Sequence, residues 1–414
     1  MPERNHLAST CCIIGLGYIG LPTAAVLARA GHRVIGVDVN AQVVATVNKG
    51  QIHIVEPDLD QAVADAVACG SLSAQLTPVP ADVFLIAVPT PFRSGVDGIP
   101  QPNIDYVLAA ARAIAPVLRP GNLVLLESTS PVGTTERVAQ VIVELSGLNT
   151  EQLHIAYCPE RVLPGRILQE LVSNDRVIGG LTSAAAEAGK AFYASFCQGE
   201  LLTTTARAAE LVKLTENSFR DVNTAFANEL SLVCDRLGIN VRELIRLANH
   251  HPRVNVLQPG CGVGGHCIAV DPWFIAAEAP DCTPLIQTAR RVNDGKSRWV
   301  IEQVQARAAA LEDQLGRPAR IGCLGLAFKP DVDDLRESPA LHITTELLVA
   351  GLEVLACEPN LHDHPTFKLH SLEQVLADAD LLVFLVAHTP FKGLDLTGRT
   401  VFDLCGVTEQ DGSL

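Results

Sequence analysis

Residues 260–272 read Gly-Cys-Gly-Val-Gly-Gly-His-Cys-Ile-Ala-Val-Asp-Pro, placing two thiols, a histidine and a carboxylate among four glycines. Glycines free the backbone for positive φ and for close approach of a ligand or another segment, so this is a loop shaped to fit around something. A thiol on such a loop is placed as a nucleophile, which makes Cys267 the first candidate for covalent chemistry. A cysteine of this kind is as often a small buried hydrophobe, and the loop alone does not separate the two readings. Zinc held by Cys261, His266 and Cys267 would need a spacing that matches no common site, so no metal is expected.

A second set of reactive groups lies upstream. Arg207–Gly238 has no proline, glycine only at its end, and apolar residues at helical spacing: Leu211, Leu214, Val222, Phe226, Leu230, Val233 and Leu237. One long helix is expected there, on the order of 45 Å at about 1.5 Å per residue, enough to join two domains and to serve as a dimer surface. It sets Lys213, Asn217 and Arg220 on one face. Such a stripe is commonly a solvated face; because the helix leads through Asn249-His250-His251-Pro252-Arg253-Val254-Asn255 to the Cys267 loop, an inward-facing site stripe is favoured.

These groups need a scaffold, and the N-terminal sequence supplies one. Cys11–Leu16 reads as a buried strand, followed by Gly15-Leu16-Gly17-Tyr18-Ile19-Gly20, a helical pattern over Leu21–Ala30, and a strand over Arg33–Asp38 that ends on an acid eighteen residues beyond Gly20. Gly15, Gly17 and Gly20 permit a tight turn and close approach of a pyrophosphate to a helix N-terminus, while Asp38 accepts from ribose hydroxyls and repels a ribose phosphate. The cofactor expected is NAD rather than NADP. Further apolar runs at Val83–Val88, Leu123–Glu127 and His154–Cys158 alternate with helical patterns such as Ile104–Leu118, as in a doubly wound parallel sheet. Their polar corners carry Thr90, Thr129, Glu160 and Arg161, which should gather at the rim where such sheets bind ligands. A second α/β unit is expected from strands at Arg320–Leu324, Glu353–Cys357, Leu381–Val386 and Thr400–Asp403. Its first turn, Gly325-Leu326-Ala327-Phe328-Lys329-Pro330, lacks the full glycine fingerprint but offers Lys329, with Arg336 nearby, to a phosphorylated ligand.

Composition limits the alternatives. At 414 residues and 44.1 kDa, with 48% hydrophobic residues, the chain implies two or three well-cored domains. The net charge of −15 disfavours nucleic acid and anionic membranes as partners. No apolar run reaches 18 residues and Met1–Thr10 is polar, so neither a membrane span nor a signal peptide is expected. Twelve cysteines without a Cys-x-x-Cys pair fit a reduced, cytoplasmic protein.

Taken together, Gly15–Gly20, Ser128–Thr134, Tyr157–Gly165, Ala209–Arg220, Gly260–Pro272 and Cys323–Pro339 resemble the UDP-glucose/GDP-mannose dehydrogenase family over nearly the whole chain. The segments Tyr157–Gly165, Leu247–Asn255 and Gly264–Pro272 are similar to the branch of that family that oxidises UDP-N-acetyl-D-mannosamine; relatives acting on UDP-glucose tend to carry Phe-Pro-Lys-Asp after the cysteine, where this chain has Ile268-Ala269-Val270-Asp271. The resemblance implies two doubly wound Rossmann-like domains joined by a long central helix: residues 1–200 for NAD, 201–300 for dimerisation and the catalytic loop, and 301–414 for the UDP-sugar. It implies oxidation of a nucleotide sugar's primary alcohol to a carboxylate with two NAD reduced, for bacterial surface polysaccharide. Cys267 would form the thiohemiacetal and thioester, Lys213 and Asn217 would serve proton transfer and the oxyanion, and Glu160, Asp271 and Thr129 would manage water and protons. Gly15, Gly17, Tyr18, Ile19, Gly20, Asp38, Thr90, Thr129 and Arg336 would hold NAD. Arg161, Val162, Lys213, Asn217, Arg220, His251, Arg253, Gly264, Phe328 and Lys329 would hold the sugar nucleotide, Arg253 above all from the partner of a homodimer. Two rival readings are a hydroxyacid dehydrogenase, which needs no thiol, and a non-catalytic nucleotide-sugar sensor, which has no need for the complete set of Lys213, Asn217, Cys267 and Asp271; other nucleotide sugars are the alternative substrates.

Overall fold

A computed structural model of the chain describes residues 8–93, 95, 99–265 and 267–408. They form two compact units: one runs to Thr215 and takes up Trp273–Glu278, the other comprises Glu216–Pro272 and the chain from Ala279 onward.

The first unit is built on β1 (Thr10–Ile14), β2 (Arg33–Val37), β3 (Leu72–Gln75), β4 (Val83–Ile86), a small antiparallel pair β5 (Phe92–Arg93) and β6 (Gln101–Pro102), then β7 (Leu123–Leu126), β8 (His154–Tyr157), β9 (Arg176–Gly180) and β10 (Leu201–Thr205). The main sheet runs β3-β2-β1-β4-β7-β8-β9-β10. Its first six strands are parallel and in the doubly wound dinucleotide-binding order, with the switch point between β1 and β4. β9 then pairs antiparallel to β8 and carries β10 with it, so the sheet is mixed at that edge. The strands are short apolar runs because both faces are covered. Ile13, Leu85 and Leu125 pack under Leu21, Leu27, Leu171 and Tyr193, whereas Ile14, Phe84, Ile86, Val124 and Leu126 pack under Val107, Ile114, Val138 and Ile142. Alternation along each strand sends neighbours to opposite cores, and each fully buried aliphatic side chain contributes about 1.5–3 kcal/mol. The expected strands appear within two residues of their ends. The sequence reading did not include β3, β9 or β10; β10 is the exposed edge strand Leu-Leu-Thr-Thr-Thr, which has no apolar run to betray it.

The second unit has β11 (Arg320–Leu324), β12 (Glu353–Cys357), β13 (Leu381–Phe384) and β14 (Thr400–Asp403), all parallel, in the order β12-β11-β13-β14. Ile321, Cys323 and Val383 face Val300, Val304, Ile343 and Leu347; Leu324, Leu382 and Phe384 face Val375 and Phe391. A helix over Pro284–Leu315, not expected from the sequence, matches in length the expected long helix, which runs Ala206–Leu237.

The long helix turns a different face inward from its apolar one. Of the seven apolar positions that suggested it, only Leu214 is fully buried, and Phe226, Val233 and Leu237 are exposed beside Phe219. Its inward face is polar instead. In the second unit Asp221 accepts from Arg290 (2.7 Å) and Asn293 (2.8 Å), Asn228 donates to Asn293 (2.9 Å), and Lys296 donates to Ser231 (2.8 Å), all buried. Paired in this way, buried polar groups are tolerated and fix register, and the apolar stripe is left to solvent. Among the described residues no helix is long and apolar enough to cross a membrane.

Candidate active site

In the first unit the turn after β1 is shaped by sterics. Gly15 has φ +95°, and a Cβ at Gly20 would lie 1.8 Å from the Gly15 carbonyl oxygen, so helix Gly20–Arg29 can start at the turn only because residue 20 is glycine. A Cβ on Gly17 would meet nothing within 4 Å, which leaves an open face beside the turn. Half-buried Asp38 accepts from the amides of Leu16 (3.0 Å) and Asn40 (2.9 Å), so the acid is locked at the mouth of the turn. Tyr18 is exposed and half-buried Ile19 is the residue immediately before the helix. An open, Cβ-free helix start with a fixed carboxylate fits a dinucleotide.

Along the same rim Thr90 donates through Oγ1 to the Thr129 carbonyl at 2.6 Å, tying the corners after β4 and β7. Beyond β8, Glu160 is buried; its Oε1 accepts from the Arg161 amide (2.7 Å) and its Oε2 from both terminal nitrogens of Arg176 (3.3 and 3.4 Å). Half-buried Arg161 donates to the Asp175 carbonyl, and Val162 packs partly against the core. Buried Glu56 anchors this corner by accepting from the amides of Gly165 (2.8 Å) and Ile167 (2.7 Å). Glu210 does the same for the preceding one, accepting from Gly133 (2.6 Å) and Thr135 (2.8 Å). Lys213 is buried on the helix one turn beyond Glu210.

In the second unit buried Asn217 donates through Nδ2 to Asp271 Oδ2 at 2.5 Å, and the amide of Asp271 donates to the Cys267 carbonyl at 2.8 Å. The helix stripe, the carboxylate and the half-buried thiol residue are thus linked by two hydrogen bonds. Arg220, expected on that stripe, is exposed, because a 3.6-residue turn rotates it away and the next inward position is Asp221. His251 and Arg253 also stand apart, on an exposed turn after helix Val241–Ala248, where the Arg253 amide donates to His251 Nδ1 (3.3 Å).

The loop glycines now have a physical reason. A Cβ on Gly264 would come within 2.6 Å of the Glu337 carbonyl and 2.9 Å of Phe328 Cβ, and one on Gly265, at φ +79°, within 2.9 Å of the Phe328 ring. The Gly265 amide donates to the Arg336 carbonyl at 3.1 Å. The Cys267 loop therefore lies directly on segment Phe328–Pro339. Lys329 is half-buried there with its ammonium 5.8 Å from the Phe328 ring centroid, and exposed Arg336 is held by Asp334 (2.6 Å). His266 lies outside the described residues. Among those described, no group of three or more His, Cys, Asp or Glu is disposed to hold a metal ion.

Two buried clusters escaped the sequence reading. Glu127, Arg176 and Tyr193 adjoin Glu160 in the first unit; Glu358 and His388 sit under the turn after β11 in the second. The only sequence signal was an acid closing an apolar run in Leu123–Glu127 and in Glu353–Glu358, where a strand end also explains it.

Comparison with known proteins bears on the whole chain. Family models described as the NAD binding, central and UDP binding domains of the UDP-glucose/GDP-mannose dehydrogenase family match residues 9–197, 207–295 and 322–410. A UDP-N-acetyl-D-mannosamine dehydrogenase of Escherichia coli K12 is 56% identical, covering 96% of this chain and 99% of the relative. An NDP-N-acetyl-D-galactosaminuronic acid dehydrogenase of Ralstonia nicotianae is 51% identical, covering 96% of each chain. The solved UDP-N-acetyl-mannosamine dehydrogenase of Staphylococcus aureus superposes with a TM-score of 0.87 at 42% identity, over 97% of this chain and 96% of that one.

Proposed function

The chain belongs to the UDP-glucose/GDP-mannose dehydrogenase family, and from that premise we propose that it oxidises the sugar C6 alcohol of UDP-N-acetyl-D-mannosamine to the carboxylate, with two NAD reduced. NAD supplies the hydride acceptor, held at Gly15–Gly20 and Asp38, with Thr90 and Thr129 at the same rim. Cys267 attacks the aldehyde carbon formed in the first oxidation. Loss of the second hydride turns that thiohemiacetal into a thioester, and water releases the acid. Lys213 takes the alcohol proton and then faces the oxyanion, Asn217 donates to the same oxygen, and Asp271 fixes Asn217. Glu160 accepts the proton of the hydrolytic water, with Thr129 orienting it. A charged donor beside developing negative charge in a dry site is typically worth about 10²–10³ in rate.

The observation that supports this most directly is the buried Asn217–Asp271 bond of 2.5 Å, with Asp271 in turn on the Cys267 carbonyl at 2.8 Å. Neither a sensor nor a hydroxyacid dehydrogenase needs a cysteine whose backbone is anchored beside a buried amide–carboxylate pair in this way. On the substrate side we assign Arg161, Val162, Arg220, Gly264, Phe328 and Lys329 to the nucleotide sugar and Arg336 to the cofactor. His251 and Arg253 would serve the site of a partner subunit. The exposed stripe of Phe219, Phe226 and Val233, seven residues apart on the long helix, supports a homodimer through that helix. An apolar face of this kind is otherwise a liability in a monomer. We place the enzyme in the cytoplasm, serving surface polysaccharide synthesis.

The test is Cys267→Ala turned over with NAD and UDP-N-acetylmannosamine, counting reduced cofactor against acid. The wild type should give two per acid and sediment as a dimer at micromolar concentration, and the variant should lose acid formation on the order of 10³-fold, as when a nucleophile is removed. Full conversion by Cys267→Ala sinks the thioester scheme, an active monomer sinks the dimer, and preference for another UDP-sugar moves the substrate assignment.

A further inference from the structure

Within the second unit, the loop that carries Cys267 is tied at both ends to one face of helix Ala206–Leu237. Downstream, Asn217 Nδ2 donates to Asp271 Oδ2 at 2.5 Å. Upstream, the Gly260 amide donates to Asn228 Oδ1 at 2.9 Å. Eleven residues separate the two asparagines, about three turns and about 16 Å of helix, so they point the same way. Helix Pro284–Leu315 adds a second upstream tie: buried Ser297 donates to the Cys261 carbonyl at 2.9 Å.

Asn228 is fully buried and its orientation is forced. Its Nδ2 donates to Asn293 Oδ1 (2.9 Å), Asn293 Nδ2 donates to Asp221 Oδ1 (2.8 Å), and Arg290 donates to the same oxygen (2.7 Å). A backbone N–H at one end and a guanidinium at the other can only donate, and a carboxylate can only accept. Neither amide can therefore turn over without setting donor against donor or acceptor against acceptor. The oxygen that meets Gly260 is held in place before the loop arrives.

We infer that Asn228 and Ser297 are positioning residues for the nucleophile: they set the upstream end of the Cys267 loop as Asn217 sets the downstream end. This rests on the proposed role of Cys267. Glycines at 260, 262, 264 and 265 leave that backbone many conformations. Fixing both of its ends on rigid helices narrows where the thiol can stand, as a covalent step requires.

The experiment reads the loop through Cys267 itself, by the rate at which iodoacetamide labels it in the full-length enzyme, followed by mass on its peptide. Asn228→Ala removes the acceptor of the Gly260 amide, and labelling of the half-buried thiol should rise at least about threefold as the loop opens locally. With NAD and UDP-N-acetylmannosamine, kcat for acid formation should fall about tenfold, within the roughly 100-fold that a misplacement of about 1 Å can cost, while the KM for NAD stays within about twofold. Asn228→Asp separates positioning from stability. It still accepts from Gly260 but sets an acceptor against Asn293 Oδ1, so it should unfold more easily than wild type and yet label at the wild-type rate. Ser297→Ala, which removes one hydroxyl, should raise labelling in the same direction and decides if Asn228→Ala does not fold. Labelling no faster than wild type in Asn228→Ala and Ser297→Ala overturns the inference, and so does equally fast labelling of Asn228→Asp and Asn228→Ala. Because labelling needs no turnover, full acid formation by Cys267→Ala would sink the thioester reading alone, whereas an inactive Cys267→Ala with unchanged labelling in Asn228→Ala sinks only the inference about the loop.

Discussion

At the end of β1 and at the end of β11 the chain makes the same turn with the same devices. A glycine at positive φ leaves the strand, Gly15 at +95° and Gly325 at +92°, and an acid from the end of the next strand accepts from the following amide. Asp38 takes Leu16 at 3.0 Å and Glu358 takes Leu326 at 2.7 Å. From there the two diverge. Asp38 is half-buried, and beside it Gly17 opens to empty space, with Gly20 starting a helix at once. Glu358 is buried, takes the Ala327 amide as well (3.0 Å), and is matched by buried His388 through Nε2 at 3.0 Å. Because the Asp331 amide donates to Nδ1 (2.9 Å), the ring proton sits on Nε2 and is given to Glu358. The next helix starts only at Pro339. The same turn is thus an open anion nest in one unit and a nest filled by the chain's own carboxylate in the other. A dinucleotide fits the first, whereas in the second the amides that would meet it are already taken.

The largest effect should come from unfilling the second nest. Burial works against ionisation of Glu358, but its bonds with His388, Leu326 and Asn360 hold its carboxyl below the usual range, so it is charged in the fold. Glu358→Ala removes the acceptor of the Leu326, Ala327 and Asn360 amides and of an imidazole N–H and should cost about 3 kcal/mol in urea unfolding, with NAD affinity unchanged within about twofold. The stabilising contribution of Glu358 should be present above the ordinary glutamate value of 4.5 and fade as pH falls below it. Weakened NAD binding without loss of stability would mean that the second turn holds the dinucleotide, and the contrast drawn between the nests would be wrong.

The mirror substitution in the first nest should affect ligand choice instead. Asp38→Asn keeps an oxygen for the Leu16 amide and gives up the exposed bond to the Asn40 amide, so unfolding should change by no more than about 1 kcal/mol. Removing the negative charge that repels a ribose phosphate should shift the NAD to NADP preference, read as the ratio of kcat/KM values, by roughly tenfold, about 1.4 kcal/mol. A loss of stability as large as that of Glu358→Ala would make Asp38 a filler like its counterpart.

The contrast also marks what could be read in advance. The glycines and strand-ending acid of the first nest were legible because they form a local pattern of turn, helix and acid, and spacing on a helix and a loop singles out Lys213, Asn217 and Cys267 as candidates. Arg220 was assigned inward because seven residues is only close to two turns, and the structure turns it out. Glu358, His388, Glu127 and Arg176 were not legible: each is defined by a partner 16 to 66 residues away, as in Arg176–Glu160 and Tyr193–Glu127, and a single acid at a strand end carries no mark of it. The glycines at 262, 264 and 265 were read as room for a ligand, whereas the first claim on that space is made by Phe328, Glu337 and Pro339.

That last point sets the finest test of the comparison, because it separates glycines required by the fold from those required by a ligand. Gly20 and Gly264 are of the first kind, since a Cβ would strike backbone oxygen at 1.8 and 2.6 Å. Gly17 is of the second kind: a Cβ there meets nothing within 4 Å. Gly17→Ala should therefore leave unfolding within about 0.5 kcal/mol of wild type. The added methyl should instead stand where a pyrophosphate approaches the helix start and raise the KM for NAD about fivefold, roughly 1 kcal/mol. If Gly17→Ala destabilises the chain while leaving KM unchanged, the space beside the turn belongs to the protein, and the first nest is no more open than the second.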